Sequence, residues 1–147
     1  MSLDQLIPVL QTAIGPVILI SGVGALLLSM NHRLGRIIDR SRILVDLRRT
    51  AAETRKLRIE LQLGILWRRA RILQKAITFA VTTALLAAAM VIVLFAGTLL
   101  RLPISVLVVV LFSACLASLV SSLGFYLKDI NLSLRALSHE LELDPPI

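Results

Sequence analysis

Charge is missing from three long stretches of this chain. No Asp, Glu, Lys, Arg or His occurs from Gln5 to Asn31, from Ala76 to Leu100, or from Leu102 to Leu127. Proton-coupled and many ion-coupled carriers depend on intramembrane ionisable groups, and their inverted repeats are also missing, so a classical secondary carrier is disfavoured. The single cysteine, Cys115, excludes an intrachain disulfide and a cysteine metal cluster. Aromatic residues make up only 4% of the chain, too few for a base-stacking surface, and with no recognisable module a nucleic-acid partner is not expected. There is no phosphate-binding Gly-rich loop, no HExxH, no GxSxG and no pair of intramembrane carboxylates, so neither catalysis nor a metal or cofactor is expected.

What fills the uncharged stretches is Leu, Val, Ile and Ala. The chain has 147 residues, of which 57% are hydrophobic, against roughly 45–50% in soluble domains. Each stretch meets the roughly 20 residues a helix needs to cross hydrocarbon, and a helix satisfies its own backbone there. The alternating ten-residue strands of a transmembrane barrel are absent. The first stretch follows Asp4 rather than a basic segment and leads into arginines rather than a cleavage site, which reads as a retained span and not a signal peptide. The expected fold is an all-α integral membrane protein, one membrane domain over 1–147. Its three spans fall at about 6–30, 77–100 and 103–127.

The basic residues are concentrated between the first two spans. From Asn31 to Lys75 there are 13 of the 16 Lys and Arg but only 4 of the 9 acids. By the positive-inside rule residues 31–76 are cytoplasmic, which puts the N-terminus and the short turn at Arg101 outside and the tail 128–147 inside. Arg101 would have to snorkel to reach water.

Read as a helix, the basic segment repeats every seven residues at Ile38, Val45, Ala52, Ile59, Leu66 and Leu73, with Ile37, Leu44, Ala51, Ile65 and Ile72 just before them. Asp39, Arg42, Asp46, Arg49, Glu53, Lys56 and Glu60 alternate in sign at spacings of three and four, as helical ion pairs do. About 45 helical residues would carry the chain nearly 70 Å away, yet the second span begins back at the membrane. A cytoplasmic helical hairpin turning near Thr50 to Glu53, where Thr50 and Glu53 fit a capping box, satisfies this. A helix lying on the headgroups and a break at Gly64 are the alternatives. The unbroken ladder and the lack of Gly or Pro near Thr50 argue against a break there.

Small residues recur in all three spans: Ser21, Ala25 and Ser29; Ala76, Ala80, Ala84 and Ala88; Ala114, Ser118 and Ser122. This is the spacing of close helix packing. Three such helices enclose little volume, so a permeation path would form between copies around a symmetry axis. The first span is the least regular, and Pro16 is placed to kink it. Pro16, Ser21, Gly22, Gly24, Ser29, Asn31 and Arg33 are the candidates for a pore or gate. Ordinary kinked packing is the plainer reading. Arg36, Arg40, Arg48, Arg49, Arg55 and Lys56 are the candidates for contact with anionic lipid or a cytoplasmic protein partner, against a plainer role in orientation and solvation.

After Leu127, the residues Ile130, Leu134, Leu137 and Leu141 keep helical spacing up to Pro145 and Pro146. This predicts a helical extension of the third span that docks on the basic segment, with Glu140, Glu142 and Asp144 facing its arginines. His139 reads as a solvated residue.

The run Ile14-Gly15-Pro16-Val17-Ile18-Leu19-Ile20-Ser21-Gly22-Val23-Gly24 and the run Asn31-His32-Arg33-Leu34-Gly35-Arg36-Ile37-Ile38-Asp39-Arg40 resemble a bacterial membrane family known as domain-of-unknown-function family 2721. The second run is the more specific. The resemblance extends from the first span through the third and implies a small three-span protein of the bacterial inner membrane, with no activity or site residue attached. Together these readings lead to a homo-oligomeric membrane protein that forms a channel or pore on its symmetry axis. The competing reading is a non-conducting scaffold or regulatory subunit whose basic helices bind a partner or anionic lipid.

Overall fold

The computed structural model describes the backbone of residues 3–100 and 103–143, and side chains over 7–100 and 103–134. The expectations placed on Asp4, Arg101, Leu137, His139, Glu140, Leu141, Glu142 and Asp144 fall outside the described side chains. The chain is all-helical: α1 is Leu3–Thr50, α2 is Glu53–Leu100 and α3 is Ser105–Leu143. Each is long and apolar enough to cross a membrane. Only 22%, 22% and 17% of their most apolar windows are buried within the chain, so the exposed apolar surface far exceeds what water tolerates on a monomer.

Contacts divide the chain into two units. The first unit is Met1–Leu28 with Thr78–Ser122. Its buried positions among the described residues are Ala13, Pro16 and Val23 on α1, Ala80, Thr83, Ala87, Met90 and Gly97 on α2, and Cys115, Ser118 and Ser122 on α3. On α2 and α3 these alternate at spacings of three and four. The strict four-residue ladders expected from the sequence are therefore corrected: Ala84 is half-buried, and Ala88, Ala114, Ser21, Ala25 and Ser29 are exposed. Four residues advance a helix by about 40° beyond a full turn, so a four-residue ladder walks off the packed face, whereas a seven-residue repeat stays on it to within about 20°.

Polar staples join α2 to α3 in this apolar setting. The Ser118 hydroxyl donates to the Phe79 carbonyl at 2.9 Å, and the Cys115 thiol approaches the Thr83 carbonyl at 3.4 Å. Each uses a second lone pair of a carbonyl in the helix ladder, which suits helices packed through small residues. At the α2–α3 turn, a Cβ on Gly97 would overlap the Ile104 side chain, so glycine is what admits this close approach. The Ile104 carbonyl accepts the Val108 N–H at 3.0 Å and starts α3 just after Pro103.

The second unit is Ser29–Ile77 with Leu123–Ile147. It buries Met30 and Ile37 on α1, Ile59, Leu66, Leu73 and Ala76 on α2, and Asp129 on α3. The break between α1 and α2 falls at Ala51 and Ala52, while Gly64 lies inside α2. The proposed capping box does not form. Ala52 supplies the first carbonyl of α2, accepting from the N–H groups of Arg55 and Lys56, and the Thr50 hydroxyl donates back to the Leu47 carbonyl at 3.3 Å. The continuous heptad is also corrected. Ile38 and Val45 are each 42% exposed, and α1 instead buries Ile37, whereas α2 keeps the expected Ile59, Leu66 and Leu73. The two non-helical residues reset the phase, so one repeat cannot run through both helices. Of the charge ladder, Lys56 with Glu53 closes at 2.6 Å, while Glu60 pairs instead with Arg48 across the turn at 2.6 Å.

α3 continues well past Leu127, as the helical extension requires, but it packs through Asp129 rather than Leu134, which is exposed.

The packed register makes a specific stability prediction. Ala87→Leu, at a fully buried site, overpacks α2 and is expected to lower stability by about 1–3 kcal/mol, whereas Ala88→Leu, on an exposed face, is expected to be nearly neutral. Thermal unfolding of the two purified variants in detergent measures the contrast. Equal losses would mean the register is wrong.

Candidate functional site

The only charged side chain that is fully buried is Asp129, at 0% exposure among the described residues. A carboxylate removed from water is tolerated only with strong partners. Asp129 has two, one on each of the other helices of its unit. Arg33 on α1 places Nη1 3.4 Å from Oδ2, and Arg69 on α2 places Nε 3.4 Å from Oδ1. The contacts are longer than the 2.7–2.9 Å of ideal charge-assisted bonds, so each is a moderate attraction.

Further contacts fix the two guanidinium groups. Arg69 donates through Nη2 to the Ser133 hydroxyl at 3.0 Å, one helical turn beyond Asp129. Arg33 lies over the Tyr126 ring at 5.4 Å from its centre, within reach of a cation–π attraction. The Tyr126 hydroxyl is 3.3 Å from the Ser29 hydroxyl, one turn before Arg33. Arg33 and Arg69 are 25% and 17% exposed, so both retain some access to solvent. Two guanidinium groups and one carboxylate leave a net charge of +1.

The pore candidates do not gather into one site in the chain. Pro16 is buried on the packed seam of α1, while Ser21, Gly22, Gly24, Ser29 and Asn31 are exposed, and Arg33 is committed to Asp129. Asn31 lines a shallow depression with His32, Gly35, Arg36 and Asp39. Of the contact candidates, Arg36, Arg40, Arg49 and Arg55 are exposed; Arg48 and Lys56 are the ones engaged in ion pairs, with Glu60 and Glu53.

A crevice opens at the α1–α2 turn, and its lining includes the apolar Leu44, Leu47 and Ile59 and the polar Arg55, Arg58 and Gln62. On the same stretches of α1 and α2, Ile43, Leu57 and Leu61 are 61%, 65% and 65% exposed. Large apolar side chains interleaved with exposed arginines make this end of the unit amphipathic.

Sequence reasoning missed Asp129, Arg69, Tyr126 and Ser133. The available signal was that Asp129 is the single acid between Glu60 and Glu140, placed just beyond the third uncharged stretch.

Asp129→Ala removes the shared partner and leaves two guanidinium groups facing one another. A loss of about 2 kcal/mol is expected, with Arg69→Ala costing more than Arg33→Ala because Arg69 is the more buried and also holds Ser133. Thermal unfolding in detergent ranks the three; an unchanged Asp129→Ala protein would contradict the clamp.

No curated protein and no solved structure is similar enough to this chain to match it. Residues 13–139 match the family described as Protein of unknown function (DUF2721), and the chain belongs to that family.

Proposed function

We propose that this protein is a non-conducting membrane scaffold or regulatory subunit, without catalysis of its own, that presents a basic helical hairpin to an acidic cytoplasmic partner protein. The observation that carries this reading is the exposure of large apolar and basic side chains in the residues flanking the α1–α2 turn, where Ile43, Leu57 and Leu61 and also Arg40, Arg49, Arg55 and Arg58 are all exposed. A face meant only for solvation has no use for uncovered leucines, whereas a partner helix with acidic and apolar residues would cover both kinds of group. The same reading takes residues 31–76 as cytoplasmic, the membrane as the bacterial inner membrane, and the N-terminus as outside. Support for the orientation is the charge asymmetry of 13 basic residues against four acids in residues 31–75.

A homo-oligomeric pore is the second reading. It is favoured by the open outer side of α1, where a Cβ on Gly15, Gly22 or Gly24 would meet nothing within 4 Å and another copy could approach closely. Commitment of Arg33 to Asp129 counts against a ring of free Arg33 side chains lining such a pore.

Two measurements separate the readings. The full chain in liposomes is expected to show ion flux no greater than empty liposomes, and flux that changes with Asn31→Ala would favour the pore. In a pull-down from host membranes, the bound partner is expected to fall by about tenfold when Arg48, Arg49, Arg55 and Lys56 are all changed to Gln. Retention of the same partner by that variant would count against the scaffold.

A further inference from the structure

We propose that the outer face of α2 at Trp67, Arg68, Arg71 and Lys75 seats the headgroup of an anionic phospholipid. This face lies apart from the α1–α2 turn and does not depend on what binds there.

Helix geometry puts the four residues on one side. At 100° per residue, Trp67, Arg71, Lys75 and Arg68 fall within an arc of about 100°, away from buried Leu66, Leu73 and Ala76. All four are exposed, Trp67 by 67%. Arg71 lies over the Trp67 ring at 5.6 Å from its centre, which holds the guanidinium beside the indole. Arg68 and Lys75 make no hydrogen bond or ion pair among the described residues. There is no acid between Glu60 and Asp129, so this part of α2 carries no counter-charge of its own.

The height of the face comes from packing against α3. Arg69 meets Asp129, two residues past the end of the third uncharged stretch, so the Trp67 to Arg71 turn is level with the point where α3 leaves its apolar segment. An indole belongs at that level, half in hydrocarbon and half in the headgroup layer. Lys75 lies one turn further toward the apolar side and can extend its ammonium back to the same layer. Three cations and an indole at headgroup height, with no partner for Arg68 or Lys75 among the described residues, complement a phosphate-bearing lipid of net negative charge.

Trp67 is the sole tryptophan, so it reports on its own surroundings. The full chain is reconstituted in phosphatidylcholine vesicles containing equal fractions of either brominated phosphatidylglycerol or brominated phosphatidylcholine, and quenching of Trp67 fluorescence is compared. The expected result is a relative association constant favouring phosphatidylglycerol by about fivefold or more, the weight of one basic residue at an anionic surface. The preference should fall to near unity in the variant Arg68→Gln, Arg71→Gln, Lys75→Gln, with quenching by brominated phosphatidylcholine retained, and should persist when the three are changed to Lys, Lys and Arg. Equal quenching of the native chain by the two lipids, or no quenching by either, would overturn the proposal. Neither outcome depends on partner capture at the α1–α2 turn, so the two proposals fail separately.

Discussion

A carboxylate with no access to water, held by guanidinium groups from two other helices, is the constraint on which the second unit turns. Asp129 cannot leave its place without exposing Arg33 and Arg69 to one another, and if either arginine turns outward the buried carboxylate keeps only one cationic partner. Apolar packing of Met30, Ile37, Leu66 and Leu73 is non-directional and would tolerate sliding or rotation. The clamp is directional, so it selects one rotation of each helix. The contacts of Arg69 with Ser133 and of Arg33 with Tyr126 spread that choice over about two turns of α3.

The first unit is held differently. It has no ionic contact among its described residues and relies on small residues that let helices approach until carbonyls of one helix receive a hydroxyl or thiol from another. Such contacts are weak individually, and in lipid there is little hydrophobic gain from bringing apolar helices together. The directional and close-packed modes thus serve different surroundings: charge where water is near, and shape where it is excluded.

Much of the coarse fold was legible in the sequence because three uncharged stretches of the right length leave a membrane helix as the only way to satisfy the backbone. The helical extension of α3 was legible from its spacing. The packing register was not, because a four-residue ladder such as Ala76, Ala80, Ala84 and Ala88 and a seven-residue repeat share their first members and diverge only over several turns. The break at Ala51 and Ala52 falls within the Thr50 to Glu53 stretch where the length of the basic segment called for a turn, although neither residue is a helix breaker and the capping box that marked the place does not form. Asp129 was the largest omission in the candidate site. Its sequence context, a Lys and an Asp following an apolar run, looks like any helix leaving a membrane, and its burial is a property of three helices at once.

The two-residue link at Ala51 and Ala52 acts as a fixed spacer. It sets Arg48 opposite Glu60, and α2 then delivers Arg69 to Asp129 nine residues later. One additional residue taken into α2 ahead of Glu60 would rotate the rest of that helix by about 100° and shift it by about 1.5 Å along its axis. Either adjustment would disturb the Arg48 pair or the Asp129 clamp. Length variation at this turn is therefore poorly tolerated, although Ala52 and its neighbours Thr50 and Glu53 are exposed.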